Sequence, residues 1–104
     1  MTGPTRDAVI EHVANAASKW SAVEKVMLFG SRARGDARRG SDYDFAVYVP
    51  SARHEEWARW CLDTEESSPS LSKLDLVLAS DPLTEELQNA IRSEGVKIYE
   101  KQKG

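Results

Sequence analysis

Three observations predict an α/β (α+β) protein in which a small mixed β-sheet carries helices packed mainly on one face. Short apolar runs that stop at Gly, Ser or Pro alternate with segments of helical period along the whole sequence. Two polar stretches, 31–41 and 65–72, separate these elements. The 104 residues suffice for one modest core, so residues 1–104 are read as a single domain.

The first helix follows Pro4. Val9, Ile10, Val13, Ala16, Ala17 and Trp20 recur at helical spacing, with Thr5 in place as N-cap. Residues 25–29, KVMLF, form a short apolar run halted by Gly30-Ser31, as a buried strand would be. SRARGDARRGS at 31–41 reads as a loop with room for a helical turn. DYDFAVYV at 42–49 alternates, is rich in aromatic and β-branched residues, and ends at Pro50. A helix is expected over 53–64, with Trp57, Trp60 and Cys61 on one stripe that suits either a core or a partner. KLDLVLA at 73–79 is a strand with Leu74, Leu76 and Leu78 facing one way and Lys73, Asp75 and Val77 the other. In the last helix, Asp81 is the expected cap, Pro82 lies in the first turn, and Gly95 takes the C′ position. VKIYE at 96–100 makes one more short strand. A mixed sheet with helices on one face is the simplest packing of this order.

Composition narrows the function. The formal charge is −3, which argues against a generic nucleic-acid-coating or anionic-membrane protein. A lone cysteine, Cys61, excludes an internal disulfide framework and a Cys-based zinc cage. No apolar run reaches the ~20 residues of a membrane span, and MTGPTRDAVI does not read as a signal peptide. A cytoplasmic setting is therefore expected.

The chemistry-bearing residues gather in one stretch. Asp42 and Asp44 are two apart in a strand, so their carboxylates share a face, while Tyr43, Phe45, Val47 and Val49 point to the other. Asp75 interrupts an otherwise apolar strand, where an acid needs a cation or a hydrogen-bonding partner. If the two strands are neighbours, three carboxylates meet, and their repulsion is relieved by a divalent cation. Hard oxygen ligands suit Mg²⁺ or Mn²⁺, of which a pair is common in phosphoryl and nucleotidyl transfer. Gly30-Ser31, at a strand-to-loop junction, suits an anion-binding concavity. Between 31 and 40, Arg32, Arg34, Arg38 and Arg39 stand against Asp36, a net +3 beside the acidic pair. Other templates fail. Asp36-Ala37 follows Gly35 where a Walker loop needs Lys and Ser or Thr, and no G-x-G-x-x-G is present. His54-Glu55-Glu56-Trp57 lacks the second His of a zinc-protease helix. His12 and His54 read as surface residues, and Cys61 as a core residue.

LFGSRARGDARRGSDYDFAVYV resembles the signature of the DNA polymerase β-like nucleotidyltransferases, and more closely that of the minimal nucleotidyltransferase (MNT) family. Gly30-Ser31, ten residues and Asp42-Tyr43-Asp44 meet the Gly-Ser…Asp-x-Asp pattern, Asp75 in KLDLVL matches the third acid, and LQNAIRSEGVKIYE resembles the closing helix and strand. The resemblance implies that Asp42, Asp44 and Asp75 are catalytic and hold two Mg²⁺ ions, with Mn²⁺ able to substitute, and that Asp75 draws the proton from an attacking hydroxyl. It also implies that Gly30 and Ser31 grip the β- and γ-phosphates of ATP. Arg32, Arg34, Arg38 or Arg39 then faces the leaving pyrophosphate, and the match does not choose among them. For MNT proteins the resemblance implies an antitoxin in a hetero-oligomer with a HEPN-domain ribonuclease toxin, which it silences by transferring AMP to a tyrosine hydroxyl. Two alternatives stand beside this expectation: an antitoxin that only masks its partner, and a nucleotidyltransferase acting on a small-molecule hydroxyl. Smallness itself leaves little room for a separate acceptor-binding domain, which points to a partner protein; direct nucleic-acid binding is not expected.

Overall fold

In the computed structural model, which describes residues 7–51, 53–79 and 83–102, four strands form one mixed sheet in the order β3-β2-β1-β4. The elements are α1 (Ala8–Ser18), β1 (Lys25–Phe29), α2 (Ser31–Arg34), β2 (Tyr43–Tyr48), α3 (His54–Glu66), β3 (Leu74–Leu78), α4 (Glu85–Glu94) and β4 (Val96–Glu100). β1 runs antiparallel to β2 and β4, whereas β2 and β3 are parallel. A parallel pair requires a crossover, and α3 supplies it. This is the mixed sheet expected from the order of elements.

Strand alternation decides what each face meets. Val26 and Leu28 of β1, Phe45 and Val47 of β2 and Leu74 of β3 are buried in one cluster with Val9, Ile10, Val13 and Ala17 of α1. Phe45, Leu28, Val26 and Val47 have no exposed surface, and burial of such side chains stabilises by about 1.5–3 kcal/mol each. Phe29, Ala46 and Ile91 form a smaller cluster on the opposite face, under α4. Thus α1 and α3 cover one side of the sheet and α4 the other.

Trp57 and Trp60 are half-buried against the main cluster. The Trp60 indole N–H donates to the Ala16 carbonyl at 3.1 Å, and its ring lies 5.9 Å from that of Trp20. These tryptophans therefore fasten α3 to α1. No helix among the described residues is long and apolar enough to cross a membrane.

Three local expectations need correction. The N-cap of α1 is Asp7, whose Oδ1 accepts the Ile10 N–H at 2.9 Å; Thr5 lies outside the described residues. The cap of α4 is Thr84, accepting from Leu87 at 3.2 Å, and Asp81 and Pro82 lie outside the described residues. Gly95 ends α4 with φ −66° and ψ 139°, extended and not left-handed. A Cβ there would run into the Ile91 carbonyl and lie 3.0 Å from the Met27 methyl, so this glycine serves close packing.

Candidate active site

The acidic residues lie on the α4 side of the sheet. Asp44 pairs in register with Phe29 of β1 and, across the parallel ladder, with Asp75 of β3. Alternation places both carboxylates on the face they share with Ala46 and Val77, which pack toward α4. Asp44 is half-buried, whereas Asp75 and Asp42, just ahead of β2, are exposed. The fold thus brings two of the three acids side by side. Among the described residues no group of three His, Cys, Asp or Glu side chains stands close enough to enclose an ion.

This crowding shows in Asp44. Burial raises its pKa above the ordinary carboxylate value, the charges of Asp75 and Asp42 raise it further, and a hydrogen bond with Asp75 favours the protonated form. The positive charge of Arg34 pulls the other way.

Gly30 joins β1 to α2 with φ 78°, a region that L side chains rarely adopt. Its α-carbon lies against the Asp44 carboxylate, where a Cβ would overlap Oδ2. Only glycine lets the loop cross this close to the acid. The expected helical turn is present as α2, which ends in left-handed Gly35 (φ 86°). Ser31 opens the turn and is half-buried, and its carbonyl accepts from Gly35 at 3.0 Å.

The four arginines separate by position. Arg34 Nη1 donates to both oxygens of Glu94, each at 3.1 Å, and its Nε donates to Asp36 at 3.1 Å. Hydrogen bonds to Asp36 first and Glu94 second raise its already high pKa. Arg32 instead stacks on the Tyr43 ring, 4.1 Å from its centroid, and donates to the Ser41 carbonyl at 3.0 Å. Tyr43 faces the α1 side, so Arg32 braces the loop from the sheet face opposite Asp44. Its Nε is buried without a hydrogen-bond partner among the described residues. Arg38 and Arg39 are exposed.

Sequence reasoning missed Glu94. Its Oε1 accepts the Gly30 N–H at 2.9 Å as well as Arg34, which ties the end of α4 to the loop. In the sequence it is one more glutamate on an acidic helix, 64 residues from Gly30, and no local pattern marks it. Cys61, expected in the core, is half-buried and belongs to neither cluster, and His12, expected at the surface, is half-buried as well. Burial pushes the Cys61 thiol up to about 12, and His12 Nε2 is engaged by the Thr64 carbonyl at 2.9 Å.

The parallel pair of β2 and β3 thus presents two acids beside a glycine-led turn and within reach of the Arg34 charge. The family described as "Polymerase beta, Nucleotidyltransferase" matches residues 11–104, and the chain belongs to it. The chain is similar to a chain in a crystal structure of a toxin-antitoxin with AMP-PNP, at TM-score 0.72 and 19% identity over 89% of this chain and 74% of that one. It is also similar to a doubly substituted mutant of the toxin-antitoxin MntA-HpeT, at TM-score 0.69, with the same identity and coverage. A nucleotidyltransferase-like structure from Sulfolobus solfataricus superposes at TM-score 0.55 and 24% identity, over 93% of this chain and 81% of that one. These likenesses are of fold. No curated protein matches the chain by sequence.

Proposed function

We propose that this chain is a nucleotidyltransferase antitoxin that transfers AMP from ATP to a hydroxyl, expected to be a tyrosine's, of a HEPN-domain ribonuclease toxin. Residues 1–104 act as a single minimal domain, working as a hetero-oligomer with the toxin in the cytoplasm. The observation that carries the reading is the meeting of Asp44 and Asp75 beside Gly30, Ser31 and Arg34. Membership of the nucleotidyltransferase family supports the reaction class. The toxin-antitoxin structures support the setting, since one is with AMP-PNP and the other carries two Asp-to-Glu changes spaced as Asp42 and Asp44 are here.

The donor set suits Mg²⁺ or Mn²⁺. All the donors are carboxylate oxygens, and Asp44 is held above its usual pKa first by burial and then by the like charges of Asp75 and Asp42, a repulsion that a hard divalent cation relieves. Asp42, Asp44 and Asp75 would hold two such ions, which when bound supply charge neutralisation for the triphosphate and the leaving pyrophosphate.

The residues then divide the work. Gly30, its N–H engaged by Glu94, shapes the turn on which Ser31 holds the β- and γ-phosphates, and Arg34, on the carboxylate side, orients the pyrophosphate, with Arg32 bracing the same loop from the other side. Asp75, exposed at the margin, takes the proton of the acceptor hydroxyl. The acceptor oxygen forms a bond to the α-phosphorus as the bond to the bridging oxygen breaks, and pyrophosphate leaves in line. Positioning and charge neutralisation account for the acceleration.

The test is transfer of label from α-labelled ATP to the cognate HEPN protein, with Mg²⁺ present. We expect one labelled partner band with the wild-type chain and labelling weaker by roughly 10²–10³-fold with Asp44→Asn. Absence of label from a genuine partner treated with wild-type protein would overturn the reading.

A further inference from the structure

We infer that Glu94 is a positioning residue of the nucleotide site: it holds the Gly30 amide and the Arg34 guanidinium together, so that the loop meets a triphosphate already formed. The inference rests on the nucleotidyl-transfer reading and deepens it. One carboxylate at the end of α4 accepts from Gly30 N at 2.9 Å and from Arg34 Nη1 through both oxygens at 3.1 Å. Its side chain is only 20% exposed, so these charge-assisted contacts are partly shielded from water.

The loop needs such a fastening. α2 is a single turn of four residues with no buried side chain, and Gly30, its N-cap, has no side chain with which to fix itself. Arg34 is a long, exposed side chain whose free rotamers would have to be ordered when a phosphate arrives. Glu94 and Asp36 take Nη1 and Nε, and Nη2, which has no hydrogen bond among the described residues, is placed to meet the phosphate oxygens. Ordering is thus completed before binding, which is how preorganisation strengthens affinity.

The test is a double-mutant cycle on binding of ATP with Mg²⁺, measured by calorimetry for wild type, Glu94→Gln, Arg34→Ala and the double variant, each checked for folding by circular dichroism. Loss of a charge-assisted contact predicts about tenfold weaker binding for Glu94→Gln. The double variant should lose less affinity than the sum of the two single losses, because Glu94 acts in part through Arg34 and in part through Gly30. A merely structural role would give additive losses, and additivity overturns the inference. Wild-type affinity in Glu94→Gln overturns it as well. So does tighter binding, which would make Glu94 a competitor of the phosphate. A wild-type chain that binds no nucleotide overturns this inference and the transferase reading together, whereas the other three failures leave that reading standing.

Discussion

The α-carbon of Gly30 rests against the carboxylate of Asp44, with no space between them for a methyl group. The contact couples the loop at the end of β1 to the acid on β2, since Phe29 and Asp44 are register partners. Gly30→Ala therefore meets two obstacles at once, the Asp44 carboxylate and a φ of 78°. Forcing a side chain into such a backbone region costs about 1–3 kcal/mol, before any shift of Asp44. We expect a folded but destabilised protein in urea unfolding that has lost nucleotide binding by calorimetry.

The acidic pair should show opposite effects on stability and on activity. The folded-state pKa of Asp44 is raised, so its favourable contribution is complete below the ordinary carboxylate range and is lost as pH rises through the folded value. At neutral pH a charged Asp44 thus weighs against the metal-free fold. Asp44→Asn should raise Tm without metal at pH 7 and lower it relative to wild type, or leave it level, near pH 4. In the labelling assay the same change should reduce transfer by roughly 10²–10³-fold, the scale on which electrostatic stabilisation of a transition state acts. Added Mg²⁺ and ATP should raise the wild-type Tm by mass action and leave that of Asp42→Asn/Asp44→Asn unmoved. If the double variant still bound and silenced the toxin, masking would replace transfer as the mechanism.

A second carboxylate works structurally at the far side of β2. Asp7 caps α1 with Oδ1 and accepts the Tyr43 hydroxyl on Oδ2 at 2.6 Å, while Arg32 covers the Tyr43 ring. The start of α1, the start of β2 and the loop are thus joined through one tyrosine. Burial first, then the Asp7 hydrogen bond, push Tyr43 up to about 12. Its contribution is whole below pH 10 and fades between 10 and 12. Removing the cap and the charge-assisted bond together in Asp7→Ala should destabilise by about 2–4 kcal/mol in urea. Tyr43→Phe should cost about 1 kcal/mol and abolish the added loss of stability above pH 10.

The parts of this molecule that could be read from sequence are those governed by short periods. Alternation in DYDFAVYV and KLDLVLA correctly separated Asp44 and Asp75 from the core residues Phe45 and Leu74. Spacing also placed the turn after Gly30. Helix ends were less legible, because Asp7 and Thr84 compete with nearby residues of similar capping chemistry and only the backbone chooses among them. Gly95 looked like a left-handed stop, yet close packing on Ile91 and Met27 explains it, and packing has no local pattern. Glu94 was invisible for the same reason, since its partners Gly30 and Arg34 are 64 and 60 residues away. The separate orientations of Arg32 and Arg34, two residues apart on one turn, likewise depend on tertiary partners, Tyr43 for one and Glu94 for the other.

Cys61 offers a check on the α1–α3 packing that is independent of catalysis. The thiol is half-buried in α3, and burial first, then the charge of Glu65, push it up to about 12. At pH 8 a free thiol of ordinary pKa is about a quarter ionised, whereas a group at 12 is ionised to roughly one part in ten thousand. Thiol alkylation of the folded chain at pH 8 should therefore run at least a hundredfold more slowly than in denaturant. Because the folded value lies above the unfolded one, the protonated thiol contributes stability below about pH 9 that is lost toward pH 12. Loosening the indole contact through Trp60→Ala should speed folded-state alkylation, since Trp60 holds α3 against α1 through Ala16. Equal alkylation rates in native and denatured protein would mean that α3 does not shield this thiol as the packing requires.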